Sequence, residues 1–178
     1  MKFDVVIGNP PYQEVVAKKS TNNGQKRVNN IFQIFQELSD KVSNEYVSLI
    51  YPGKRWIHRS GKGMKKFGYD QINDPHLSKL IYFENANDVF DGVDISDGIT
   101  IVFKDLSKTT KIFDYEFHSS EGKIFSAKVK SPGDHLLVLD PRDMPIANAM
   151  DEFVEKHGLK HISDSPVINQ KLFRIESS

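Results

Sequence analysis

Asn9-Pro10-Pro11-Tyr12 follows directly on the apolar run Phe3 to Ile7 and on Gly8. Two consecutive prolines stiffen a loop, because each ring fixes φ, removes an amide proton and restricts the residue before it. The Asn9 side-chain oxygen and the Pro10 main-chain carbonyl then become two acceptors with fixed directions. Such a pair suits one kind of chemistry. A conjugated primary amine is a poor nucleophile because its lone pair is spread into the adjoining ring. Acceptors on both of its hydrogens draw the nitrogen toward a tetrahedral, reactive form. Tyr12 adds a flat face, and stacking a base on an aromatic side chain is worth about 1–3 kcal/mol. A base inside a duplex cannot enter such a pocket without first being flipped out.

The elements that must hold this tetrapeptide are legible as patterns. Phe3 to Ile7 is short, β-branched and nearly continuous in apolar character, so it predicts a buried parallel strand that feeds the loop. In open parallel sheets, ligands sit beyond the carboxyl ends of such strands. The polar stretch from Lys18 to Asn30 predicts a mobile loop, and its Lys18, Lys19, Lys26 and Arg27 could touch DNA. Val28, Ile31, Phe32, Phe35, Leu38 and Val42 recur at three- and four-residue steps, the apolar stripe of a helix. Tyr46 to Tyr51 predicts a second buried strand, stopped by Pro52-Gly53. A short helix follows over Met64 to Ile72, then strands over Lys79 to Glu84 and Ile99 to Lys104, joined by a loop rich in Asp, Asn and Gly. Alternating strands and helices imply βαβ units, and the two directly joined strands imply an antiparallel edge. Lys111 to Phe117 and Lys123 to Val129 predict a hairpin around Ser120-Glu121-Gly122. His135 to Leu139 predicts one more strand, and Pro145 to His157 a helix stopped by Gly158.

Composition excludes several classes. The 178 residues hold 24 basic and 24 acidic side chains, so any argument for nucleic acid must rest on local clusters. The absence of cysteine removes disulfides, thiolate metal sites and every mechanism that needs a Cys nucleophile. Met1 to Ile7 is no signal peptide, and no stretch approaches the roughly 20 apolar residues of a membrane span. A cytoplasmic location without membrane contact is the expectation. The segment from Lys54 to Lys66 carries Lys54, Arg55, Arg59, Lys62, Lys65 and Lys66 around Trp56, with no acidic residue. It follows a strand's carboxyl end on the side of Asn9, so Lys54, Arg55, Trp56, Arg59 and Lys62 are the candidate contacts to a DNA backbone.

"FDVVIGNPPYQ" resembles the catalytic segment of the amino-methyltransferases, specifically the N6-adenine DNA methyltransferases of restriction–modification systems. "IFQIFQELSDKV", "YVSLIYPGKRWIHRSGKGMKKF" and "KLIYFENANDVFDGVDISDGITIVFKD" resemble the elements that follow it, so the likeness covers about residues 3 to 104. The resemblance implies an α/β fold: the C-terminal half of a Rossmann-like methyltransferase sheet over residues 1–106, with a small α+β extension over 107–178. It implies S-adenosylmethionine as methyl donor and double-stranded DNA as substrate. Asn9, Pro10, Pro11 and Tyr12 become the catalytic segment. Phe90 becomes the second aromatic wall for the flipped base, with Tyr82 and Phe83 as poorer matches inside a strand. The family's cofactor site, a Gly-rich turn and an acidic strand end, has no match here, since Gly122, Gly133 and Gly158 stand isolated. The chain is therefore expected to be a truncated form, a split-gene product or a subunit. Its partner would be the N-terminal half or another restriction–modification subunit, and alone it would bind the cofactor weakly.

Rival readings remain. Asn-Pro-Pro-Tyr also suits methylation of RNA bases or of a protein glutamine, and a non-catalytic DNA-binding specificity module would carry the same basic segment. Asp114 with Glu121 and Lys123 has the residue types of a metal-dependent nuclease, but Glu121-Gly122 falls in a turn. His157 and His161 are four apart, yet Gly158 breaks the helix that would align them as a metal pair. Asp94 and Asp97 read as turn-shaping residues.

Overall fold

The computed structural model describes residues 2–16, 27–61, 63–93 and 95–160. Its first compact unit spans Met1–Pro141 and is built on a six-stranded mixed sheet. The strands are β1 (Phe3–Gly8), β4 (Ser43–Pro52), β5 (Leu77–Phe83), β6 (Ile99–Asp105), β7 (Ile112–His118) and β8 (Ile124–Lys130). Their spatial order is β1-β4-β6-β5-β7-β8. β1 is parallel to β4 and β5 to β7, while β6 runs antiparallel to both β4 and β5. Thus β1, β4, β5 and β7 all point the same way, and their carboxyl ends share one edge of the sheet. β2 (Gln13–Val16) and β3 (Arg27–Asn30), next in the chain after β1, form a separate antiparallel pair.

The helices α1 (Phe32–Val42), α2 (Lys54–Ile57) and α3 (Met64–Ile72) cover one face. That face presents Val47, Leu49 and Tyr51 of β4, Val102 of β6, and Leu80 and Tyr82 of β5, all buried. Aromatic side chains knit the layers: Phe32 stacks on Tyr51 at 5.1 Å, and Phe67 meets Tyr51 and Trp56 edge-on. A polar chain crosses the same layer. Tyr51 donates to Gln36 Oε1 (2.8 Å), Gln36 donates to Asp40 (2.7 Å), and Lys104 Nζ bridges Asp40 (2.8 Å) and Asp74 (2.6 Å).

Several expectations change. β1 forms where expected but is not buried: Phe3, Val5 and Ile7 are 51%, 53% and 75% exposed, because β1 is an edge strand and no described residue covers these side chains. Val28 and its neighbours belong to β3, so the expected loop ends in a strand and α1 starts only at Phe32. The buried stripe of α1 is Phe32, Gln36 and Ser39, with Leu38 exposed; the hydrogen bonds of Gln36 outweigh the apolar pattern. The antiparallel pair β5–β6 is interior rather than an edge. The hairpin β7–β8 adds to the same sheet through β5, so the boundary expected at residue 106 falls inside one continuous layer. His135 to Leu139 forms no strand. Side chains hold it instead, with Tyr115 Oη donating to the Leu139 carbonyl (2.6 Å). Residues 161–178, including His161, lie outside the described residues.

The second compact unit, Arg142–Ser178, contains α4 (Met144–Lys156). Pro145 sits in its first turn and Gly158, at φ +60°, ends it, as the sequence predicts.

Candidate active site

The tetrapeptide leaves β1 at the shared carboxyl edge. Asn9 and Pro11 are exposed, while Pro10 and Tyr12 are half-buried. The Tyr12 carbonyl accepts from Ile31 N–H (3.0 Å), which ties the loop to the start of α1. The Tyr12 hydroxyl is buried without a hydrogen-bond partner among the described residues, and burial pushes its pKa above the usual phenol range. Asn9 makes no side-chain hydrogen bond among the described residues, so its amide oxygen is open to a ligand.

The basic segment begins at the carboxyl end of β4, on the same edge. Gly53 N–H donates to the Gly98 carbonyl (2.9 Å) and Lys54 N–H to the Asp97 carbonyl (3.0 Å). A Cβ on Gly53 would lie 2.4 Å from the Asp97 oxygen, so only glycine allows this approach. Arg55 Nε pairs with Asp97 Oδ2 (2.6 Å) with its side chain largely exposed. Asp97 therefore clips the Phe90 loop to the basic segment, a turn-shaping role like the one expected of it. Phe90 itself is half-buried, and its N–H bonds four residues back to the Ala86 carbonyl (3.0 Å), just past the 3-10 turn over Ala86–Asp88. Tyr82 is buried beneath this loop, its hydroxyl on the Asp97 carbonyl (3.3 Å) and its pKa pushed up to about 12 by burial and then by Glu84 and Asp97. Phe83 stacks on His118 at 4.1 Å.

Two expected DNA contacts are corrected. Trp56 is 1% exposed and donates its indole N–H to Thr100 Oγ1 (3.0 Å), so it holds α2 to the sheet and presents no face to a nucleic acid. Arg59, at φ +53°, donates to the carbonyls of Gly133 (2.6 Å), Asp134 (2.9 Å) and His135 (2.8 Å) and lies over the Tyr69 ring. Its guanidinium secures the segment after β8 and is engaged there rather than on a phosphate. Lys54 forms no ion pair among the described residues; burial, then Lys54, holds the neighbouring His58 below the usual imidazole range. Lys65 is exposed, Lys66 pairs with Asp70, and Lys62 and Asp94 lie outside the described residues. Lys18, Lys19 and Lys26 also lie outside them. Of the residues of the nuclease reading, Glu121 and Lys123 pair with each other (2.8 Å), while Asp114 pairs with Lys128 instead (2.8 Å).

Sequence reasoning missed the glycine clip and the Asn73 clamp on Gly133, a reciprocal pair of hydrogen bonds at 2.8 and 3.0 Å. Glycines directly after β4 and before β6 were the available signal.

The family model for the Eco57I restriction-modification methylase matches residues 1–90, half of the chain. The chain belongs to this family. It is 31% identical over 99 residues to an uncharacterized adenine-specific methylase of Mycoplasma pneumoniae, a match covering 56% of this chain and 22% of that protein. The chain thus spans about a fifth of that relative's length. Among solved structures, a chain of a type I restriction–modification system gives a TM-score of 0.47 at 15% identity, over 91% of this chain and 32% of the other. The EcoKI M protein gives 0.46 at 14% identity, over 83% and 30%. The Eco57I-family match includes the tetrapeptide, the basic segment and Phe90.

The isolated glycines do not form a cradle for an S-adenosylmethionine molecule. Gly92, Gly122, Gly133 and Gly158 face open space at isolated turns, and the crowding at Gly53, Gly68 and Gly98 comes from the protein's own backbone and side chains. No helix of the described residues is long and apolar enough to cross a membrane.

Proposed function

We propose that this chain is the amine-gripping part of a DNA adenine methyltransferase of a restriction–modification system. The observation that carries the reading is the exit of Asn9-Pro10-Pro11-Tyr12 from β1 at the sheet edge that also bears the basic segment and the Phe90 loop, in a chain of the Eco57I family. The Asn9 side-chain oxygen and the Pro10 carbonyl accept the two hydrogens of the adenine N6 amine. Pro10 and Pro11 fix the direction of those acceptors. Tyr12 stacks on the flipped base and Phe90 closes its other side. Lys54 and Arg55, with Lys62, lie along the DNA backbone. S-adenosylmethionine supplies an electrophilic methyl carbon when bound, and it is held by parts of the methylase other than the described residues. The partners are double-stranded DNA and the remainder of the methylase or another subunit of the system.

The test is methyl transfer from labelled S-adenosylmethionine by the complete methylase to duplex DNA, RNA and protein in parallel. Methylated adenine should appear in DNA. Asn9→Ala should lower the rate roughly 100-fold, the scale of losing one preorganised hydrogen-bonding group at a reacting centre. Methylation confined to RNA or protein, or an Asn9→Ala enzyme of undiminished rate, would sink the proposal.

A further inference from the structure

Asp97 is the node at which the basic segment and the Phe90 loop meet. Its carbonyl accepts the Lys54 N–H (3.0 Å) and the Tyr82 hydroxyl (3.3 Å). A Cβ on Gly53 would come within 2.4 Å of that same oxygen, so the two backbones are in close contact. All of these contacts use the main chain of Asp97 and do not depend on its side chain. The side chain has a separate engagement: Oδ2 holds Arg55 Nε at 2.6 Å. The Asp97 side chain is 19% exposed and that of Arg55 64%. The carboxylate is thus fixed by the backbone around it, and the guanidinium it holds lies largely in solvent.

A carboxylate at this place opposes a DNA-facing edge, because DNA is a dense line of negative charge. The segment from Lys54 to Lys66 has no acidic residue of its own, and the acid beside it comes from the Phe90 loop. An ion pair this open to water adds little to stability. What it supplies is order. A guanidinium has five donors in a rigid fork, and Asp97 takes only the Nε side. The two Nη groups make no hydrogen bond or ion pair among the described residues. An arginine held at Nε keeps the outer, two-pronged edge of its fork free in one orientation, and a phosphate matches that edge. A loose arginine must give up rotamer freedom when it binds, whereas one already held has given it up beforehand. We propose that Asp97 is a positioning residue for DNA: it holds Arg55 so that the Nη edge meets a backbone phosphate. This rests on the proposed function, in which Arg55 lies along the DNA backbone, and adds the group that sets its geometry. The main chain of Asp97 also ties down the loop of Phe90, so one residue sets both the phosphate grip and the second aromatic wall.

The test is the affinity of the complete methylase for duplex DNA, measured for Asp97→Ala, Arg55→Ala and the double variant. Asp97→Ala keeps the main-chain contacts and removes the carboxylate. Charge alone predicts tighter DNA binding, since a negative group is gone. The proposal predicts the reverse: binding about tenfold weaker, the scale of one hydrogen bond to a charged group, with the loss in KM for DNA rather than in kcat and the melting temperature unchanged. Arg55→Ala should weaken binding by a similar factor. In the Arg55→Ala background, Asp97→Ala should weaken it no further, because nothing remains to be held. An Asp97→Ala methylase that binds DNA as tightly as the unaltered one, or more tightly, would overturn the proposal. So would equal weakening in both backgrounds, which means a general loss of structure. Arg55→Ala without effect on affinity would remove the Arg55 contact and this proposal with it. Methylation confined to RNA or protein sinks the adenine reading, whereas affinity for duplex DNA decides this one, so the two fail separately.

Discussion

At the residue scale, the side chains nearest the proposed chemistry divide into those that are open and those already engaged. Asn9 is open, whereas Trp56 and Arg59 hold the fold. Trp56→Ala should therefore lower stability by about 3–5 kcal/mol, as for other large core truncations, and urea unfolding measures it. A loss of DNA affinity with unchanged stability would contradict that placement. Lys54→Ala should instead leave stability unchanged and reduce the salt dependence of DNA binding by about one counterion, read from affinity at several salt concentrations. Lys104 is fully buried between Asp40 and Asp74. Removing one partner of a buried ion pair strands the remaining charge, so Lys104→Ala should cost about 3–5 kcal/mol in urea unfolding.

Elements are fastened here by close backbone approach. A Cβ on Gly68 of α3 would lie 1.9 Å from the Trp56 carbonyl oxygen, and on Gly98 it would lie 2.2 Å from the Phe83 carbonyl oxygen at φ +70°. Neither neighbour is a flexible side chain that can step aside. Gly122 has a similar φ of +76°, but nothing stands within 4 Å of its Cβ position. Gly68→Ala and Gly98→Ala should then lower the melting temperature well beyond Gly122→Ala, whose cost is only the left-handed backbone, about 1–2 kcal/mol. Equal shifts for the three variants would contradict the close packing. These contacts explain why helix positions were readable and helix faces were not. The end of the helix over Met64 to Ile72 was legible from the Asn73-Asp74-Pro75 that follows it. The buried stripe of α1 was not, because its Gln36 is buried by a tyrosine that lies 15 residues away.

For the whole molecule, three deeply placed phenols set an alkaline limit. Burial pushes Tyr51 and Tyr115 well up, and Tyr82 to about 12. Their folded values lie above the unfolded value of about 10, so the folded chain keeps protons that the unfolded chain has released. Stability from these groups is fully present below pH of about 10 and is lost as pH rises through the Tyr82 value. Phenolate absorbance and circular dichroism should therefore change together above pH of about 10; phenolate formation from all three well before the fold is lost would refute this. The sequence by itself determined the tetrapeptide at a strand's end, the places of β1, α1, β4, α3, β5 and β6 but not of the β2–β3 pair or α2, and the family, since these rest on local residue types and spacing. Asn9-Pro10-Pro11-Tyr12 can be read that way because its chemistry lies in adjacent residues. Only the tertiary structure decided that Trp56 and Arg59 are engaged, that the hairpin β7–β8 extends the main sheet, and that β1 is an edge strand with exposed side chains among the described residues. The physical reason is that partners distant in sequence settle burial and strand neighbours, and a continuous apolar run does not say which chain will cover it.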